Sequence, residues 1–256
     1  MKSEISEERI DKLLVKTYED SEKMGSAAAD FVERKLVNTI TQNGNANLVL
    51  ATGASQFSFL KYLKEKATID WKKITVFHLD EYVGISKKHP ASFRRYLAER
   101  ILNEVQPQKI HYLNGDAGHI EMEIKNYERL LKNHPTDVAC IGIGENGHLA
   151  FNDPPVADFK DSKWVKIVDL DQQCRQQQVG EGWFATIDEV PNQALSLTIP
   201  AIMNAKVISC VVPDKRKAEA VRNTLRGPIT TECPASILRR HPNTVLFLDE
   251  NAASEL

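Results

Sequence analysis

The chain has 256 residues, a mass of 28.8 kDa, 42% hydrophobic and 27% charged residues, proportions that exclude a disordered, collagen-like or disulfide-stapled protein. Thirty-three Lys and Arg against 35 Asp and Glu leave a formal net charge of −2, which gives no general pull toward nucleic acid or an anionic membrane. A globule of this mass buries roughly 70–75% of its unfolded-chain surface, enough for a full core without staples.

Hydrophobic spacing predicts a helix through Ile10, Leu13 and Leu14, and a second through Ala28, Phe31, Val32, Leu36 and Ile40 that Gly44 closes. LVLAT (48–52) reads as a buried strand broken by Gly53, followed by a helix from Ser55 to Lys66. ITVFHLD (74–80) is the next strand, in which His78 reads as core. A helix over about Ala91–Asn103, a short strand KIHYL (109–113) and a helix over 120–133 follow. DVACIGIG (137–144) is a further central strand. Residues 145–193 are irregular, with one strand over 164–170. KVISCVV (206–212), a helix over 215–225 and NTVLFLD (243–249) complete the pattern. Short apolar strands alternating with helices imply βαβ units and a parallel sheet covered on both faces. No stretch reads as a linker, so one domain over 1–256 is expected, with a lid over about 152–193. The acidic N-terminus lacks a leader core, no apolar run approaches the ~20 residues that cross a bilayer, and a cytoplasmic protein without a membrane partner is expected. Cys140, Cys174, Cys210 and Cys233 form no CxxC pair, and no His, Cys and Asp share a metal-ligand spacing, so no metal is expected.

In such sheets ligands bind beyond the carboxyl ends of strands, which directs attention to four segments. Thr52, Gly53, Ala54 and Ser55 join a strand to a helix, and their hydroxyls and free N–H groups form a cradle for an anion; an ordinary turn capped by Ser55 is the plain alternative. There is no GKS or GKT, which disfavours a Walker nucleotide site. Asp80 and Glu81 end a buried strand, where a carboxylate is held rigidly and partly desolvated, as a general base requires; an exposed acidic turn is the alternative. Gly142, Gly144 and Gly147 match GxGxxG, but Pro154-Pro155 arrives before a crossover helix could form, so a dinucleotide is not expected. The same segment delivers His148 at a glycine-rich strand end with Asn146 and Asp153 nearby, able to fix its tautomer. Lys215, Arg216 and Lys217 open a helix against its dipole, a misfit explained if one of them meets a bound anion.

ATGAS, FHLDEYVG, HPASF, YLNGDA and GIGENGHLAFNDP, in this order, resemble the signatures of the glucosamine-6-phosphate deaminase family, within a wider group that includes the 6-phosphogluconolactonases. The resemblance covers about residue 25 to Glu250. It implies a Rossmann-like α/β sheet without nucleotide or other cofactor, and an amino sugar phosphate as the small-molecule partner. It makes Asp80 the enolisation base and His148 the ring-opening residue, with Asp153 at the position of the Glu that supports this His and Asn146 where many members carry Asp. It assigns the phosphate to Thr52–Ser55 and Lys217, with Glu81, Gly144 and Gly147 as surrounding site residues. Two departures stand out. CRQQQVGEGWF (174–184) replaces a stretch that in many members carries a phosphate-gripping Arg, for which Arg175 is the candidate substitute. Asp153 is one methylene shorter than the family's Glu. A galactosamine-6-phosphate enzyme and a 6-phosphogluconolactonase are the nearer alternatives. A sugar-phosphate-binding regulatory domain is the alternative from another class, disfavoured because Asp80 and His148 are both present.

Overall fold

The computed structural model describes residues 4–256. Among them the strands are β1 (Glu4–Ile10), β2 (Leu13–Tyr18), β3 (Ala46–Leu50), β4 (Ile74–His78), β5 (Asp80–Tyr82), β6 (Lys109–Ile110), β7 (Val138–Ile141), β8 (Val165–Asp169), β9 (Gln193–Leu197), β10 (Val207–Val212) and β11 (Thr244–Asp249). The helices are α1 (Ser21–Asn43), α2 (Phe57–Lys64), α3 (Phe93–Leu97), α4 (Asn103–Val105), α5 (Ile120–Asn133), α6 (Gln172–Gly180), α7 (Ile199–Met203) and α8 (Ala218–Arg226). A π turn over Ala98–Leu102 runs α3 into α4.

The main sheet has the order β1-β2-β11-β10-β7-β3-β4-β6 and is parallel except at the β1–β2 hairpin. Successive side chains of its central strands divide between two cores, as a two-residue period requires. Leu48 and Leu50, Val138 and Cys140, and Val245 and Phe247 pack with α1 and α2. Val49, Ala139, Ile141, Leu246 and Leu248 pack on the other face with Tyr127 and Leu131 of α5 and Val221 and Leu225 of α8. This is the mostly parallel α/β architecture read from the sequence. The strand order reverses between β3 and β7, which places a crevice at their carboxyl ends. A second, antiparallel sheet, β5-β9-β8, stands beside that crevice. No helix among the described residues is long and apolar enough to cross a membrane.

Three local expectations are corrected. The helix expected through Ile10, Leu13 and Leu14 is the β1–β2 hairpin, turned at Asp11 with φ 52°. Leu13 and Val15 are buried while Leu14 and Lys16 between them are half-buried, a period of two that β2 completes by pairing with β11. The strand β9 begins at Gln193, where the stretch expected to be irregular ends, and runs through residues to which no element was given; Gln193 and Ser196 interrupt its apolar pattern until β5 and β8 supply partners on both sides. The predicted helices at Ser55, Ala91 and Lys215 begin two or three residues later, at Phe57, Phe93 and Ala218. At 54–56 and 215–217 a single 3₁₀ turn comes first.

Gly25 sits where α1 meets α2: a Cβ there would strike Ser58 Oγ and come within 2.8 Å of Phe59 N. Helix propensity alone favours Gly→Ala by roughly 1 kcal/mol. The backbone contact opposes it, because overpacking typically costs about 1–3 kcal/mol. Gly25→Ala is therefore expected to lower the midpoint of denaturant unfolding; an unchanged or raised midpoint would show that the two helices separate without cost.

Candidate active site

A cavity of about 550 Å³ opens at the carboxyl ends of β3, β4, β7 and β10. Thr52, Gly53, Ala54 and Ser55 form one wall, Gly142 to Gly144 and His148 a second, Asp80 a third, and Asp214, Arg216 and Lys217 a fourth. Gln177, Gln178 and Glu181 cover it from α6 and the residue after it.

The Thr52–Ser55 turn depends on Gly53, whose φ of 96° suits a residue without a Cβ. Tyr96 Oη donates to Gly53 O at 2.8 Å, and buried Gln56 donates through Nε2 to Ser55 Oγ at 3.0 Å, so the cradle is held from both sides. The first N–H groups of the α2 turn face this end, where the helix dipole favours an anion.

Asp80 is 7% exposed and its carboxylate receives no hydrogen bond from the described residues. Burial, reinforced by the neighbouring Glu81, pushes its pKa well above the ordinary carboxylate range. His78 fixes the backbone here. Its Nδ1–H donates to Asp80 O at 2.9 Å, and its Nε2 accepts from Leu113 N at 2.8 Å, a neutral tautomer. Burial lowers the His78 pKa to about 3, so the ring stays neutral.

Glu81 does not line the cavity. It turns the other way and is fully buried, accepting from Ser92 Oγ (2.7 Å), Arg94 Nε (3.0 Å) and the backbone N–H of Tyr82, Phe93 and Arg94. With every oxygen taken it is a structural anchor rather than a ligand for substrate.

On the opposite wall, His148 Nδ1 lies 2.9 Å from Asp153 Oδ1, an ion-pair distance without hydrogen-bond alignment. Asn146 clamps the pair, donating through Nδ2 to Asp153 Oδ1 at 2.8 Å and accepting from His148 N at 3.0 Å. Burial alone would raise the Asp153 pKa, but His148 and the Asn146 amide together bring it below the usual value. Asp153 and Asn146 thus sit behind His148 rather than on the cavity wall. Gly144 has to be glycine, since a Cβ would collide with the His148 ring. Gly147, with φ 85°, makes the turn and lies off the cavity. No helix follows this glycine segment: Leu149–Asn152 form a tight bridged turn with Ala150 at φ 51°, which removes the dinucleotide reading.

Of the three bases before α8, Lys217 is the buried one, 5% exposed, with Nζ 4.0 Å from Glu145 Oε1. Burial lowers its pKa more than Glu181 and Glu145 raise it. Arg216 also lines the cavity, donating through Nη2 to Asp214 Oδ2 at 2.8 Å; Lys215 does not line it. Arg175 faces away: its Nη2 donates to Ile187 O at 2.6 Å and Val190 O at 3.1 Å, which ties down the segment after α6. The cation expected from α6 is absent from the cavity lining, which instead includes Arg216, whose place in a run of three bases hid its direction. Tyr82 Oη donates to Gln178 Oε1 at 2.6 Å and packs against Phe93, Phe151 and Phe184, which seats α6 on β5. Cys174, in the first turn of α6, meets His148 and Asp153, an association that no sequence spacing indicates.

Residues 19–247 match the family described as glucosamine-6-phosphate isomerases/6-phosphogluconolactonase. The chain belongs to that family. A glucosamine-6-phosphate deaminase of Streptococcus pyogenes serotype M18 is 38% identical over 83% of this chain and 88% of its own length. One of Streptococcus uberis is 35% identical over 93% and 97%. A solved structure described as a monomeric glucosamine-6-phosphate deaminase superposes with a TM-score of 0.85 at 32% identity, covering 94% of this chain and 99% of that one. A 6-phosphogluconolactonase from Thermotoga maritima superposes with a TM-score of 0.76 at 20% identity, over 93% and 100%, and shares the fold.

Removing the Glu81 carboxylate would leave the Arg94 guanidinium buried without its main partner, a loss that costs about 3–5 kcal/mol. Glu81→Ala is expected to fall in stability by that order in chemical denaturation. A loss confined to substrate affinity, with stability intact, would restore Glu81 to the binding site.

Proposed function

We propose that this chain isomerises and deaminates glucosamine 6-phosphate, taking up water and releasing fructose 6-phosphate and ammonia. The observation that carries the reading is the pairing, across one cavity, of a donor-free buried carboxylate, Asp80, with the His148–Asp153 couple, in a chain whose relatives carry that name. In this scheme the sugar phosphate enters as a closed ring with its phosphate on the Thr52–Ser55 turn, Lys217 and Arg216. His148, steadied by Asp153, moves the proton between O5 and O1 that opens the ring. Asp80 then removes the proton from C2, and the C1 carbonyl takes up a proton to give the enolamine. Protonation at C1 by the same carboxyl moves the double bond to C2–N, giving an iminium. Water adds at C2, the C2–N bond breaks, and ammonia leaves the ketose. Only proton transfers and water are required.

Burial suits Asp80 to this work. A carboxylate whose pKa is pushed upward is a stronger base toward C2–H, provided the pH leaves it ionised. The acid limb of kcat/KM is therefore expected well above the ordinary carboxylate range. Stability should move the opposite way to activity. An acid with a raised folded pKa binds its proton more tightly folded than unfolded, so its charge costs stability once the pH rises above the unfolded value near 3.8. Asp80→Asn removes that cost and the base together. Turnover is expected to drop at least ~10²-fold, while the melting temperature at neutral pH rises and the gain disappears in acid. Retained ammonia release by the variant would sink the role of Asp80.

Lys217→Ala tests the phosphate end. A charge-assisted contact is worth roughly 1.5–3 kcal/mol, so KM for glucosamine 6-phosphate should rise about 10- to 150-fold, with little effect on unphosphorylated glucosamine. An equal loss on both sugars would place Lys217 outside the phosphate site.

A further inference from the structure

We propose that His148, Asp153 and Cys174 form a binding site for a borderline-soft divalent cation of the zinc class. The three residues come from separate segments: the glycine-rich end of β7, the turn before Pro154, and the first turn of α6. All are buried, and one ligand atom of each lies within 4.8 Å of the others, an arrangement found by contact rather than by spacing. A tetrahedral ion with bonds of about 2.0–2.3 Å holds its ligands about 3.3–3.8 Å apart, so closure changes the separations by about 1.5 Å at most.

Two further facts point to a ligand. Asp153 Oδ2 and His148 Nδ1 are buried with no aligned hydrogen-bond partner, and Asp153 is 1% exposed. Buried polar atoms ordinarily find partners, so Asp153 Oδ2, and His148 Nδ1 in the tautomer that leaves it unprotonated, can each give a lone pair to a cation held between them and the Cys174 sulfur. One nitrogen, one carboxylate oxygen and one sulfur suit Zn²⁺ or Co²⁺ and not Mg²⁺ or Ca²⁺, which take oxygen ligands in larger number. Three protein ligands leave a fourth position, which water can fill. The thiol gives up its proton on binding: the Sγ–metal bond forms, and one proton leaves to solvent.

The consequence for activity rests on the reading of His148 as the ring-opening residue. An ion on Nδ1 leaves the neutral imidazole with its proton on Nε2 and no lone pair facing the cavity. The ring can then no longer accept a proton, and the cation acts as an inhibitor. The metal-free chain is the active form, and a chelator leaves the rate unchanged or raises it.

The test uses the full chain, stripped with a chelator and dialysed. Co²⁺ is titrated while the thiolate-to-cobalt absorption is followed, and Zn²⁺ is titrated by calorimetry. One ion per chain is expected, with the thiolate band present. Cys174→Ser and Cys174→Ala should both lose the band and bind at least about 10-fold more weakly. His148→Gln should weaken binding while retaining the thiol. Zn²⁺ inhibition, expressed against each variant's own metal-free rate, should be lost in both Cys174 variants. No stoichiometric binding by the wild type overturns the site, as does an unchanged band in the Cys174 variants, which would place the ion on another thiol. Stoichiometric binding through Cys174 with full activity keeps the site and overturns instead the role given to His148.

Discussion

The buried ion pair between Glu81 and Arg94 is the constraint on which the rest of the site depends. Glu81 is the middle residue of β5, fully buried, and its charge is offset by the guanidinium and by the N–H groups that open α3. Arg94 in turn donates to Asp116 Oδ1 at 2.7 Å and Ile85 O at 2.6 Å, so three loops converge on one cation. A desolvated pair of this kind contributes little net stability by comparison with apolar packing, but losing either member is costly. Its effect here is directional: with Glu81 locked inward, strand alternation points Asp80 the other way, into the cavity.

That geometry gives two adjacent carboxylates opposite fates. The Glu81 carboxylate accepts five hydrogen bonds and the Asp80 carboxylate none from the described residues. The proximity of Glu81 also adds to the desolvation that raises the Asp80 pKa. The donors thus go to the acid that holds the fold, and the acid that faces the cavity is left unsatisfied. The same division recurs across the cavity, where Asn146 and Asp153 orient His148 from behind while its other edge meets the cavity.

The cover on the site is held by aromatic packing rather than by charge. Tyr82 of β5 gathers Phe93, Phe151 and Phe184 and hydrogen-bonds Gln178 of α6. The residues that α6 turns toward the cavity are Gln177, Gln178 and Glu181, polar but without a cation. Positive charge is concentrated on the opposite wall, in Arg216 and Lys217, each partly balanced by Glu145. An arriving phosphate would replace that acid as the partner of both cations.

The amino-acid sequence determined the architecture and most of the residues that line the cavity. Buried strands of four to six apolar residues, alternating with helices, leave few ways to bury both faces of a sheet, and the rule that ligands sit at strand ends then singles out Asp80, His148, Thr52–Ser55 and Lys217. These are local patterns, and local patterns survive folding. What failed was whatever needed a partner distant in the chain. The β1–β2 hairpin shares its apolar spacing with a helix until β11 pairs with β2, and β9 is a strand only between β5 and β8. The direction of a long side chain is set by its surroundings as well: Glu81 turned inward because Arg94 was there, Arg175 turned away because Ile187 and Val190 offered carbonyls, and Arg216 turned toward the cavity. Cys174 reached His148 and Asp153 only because α6 docks on β5. Contacts between residues tens of positions apart are made by packing, and one-dimensional spacing carries no record of them.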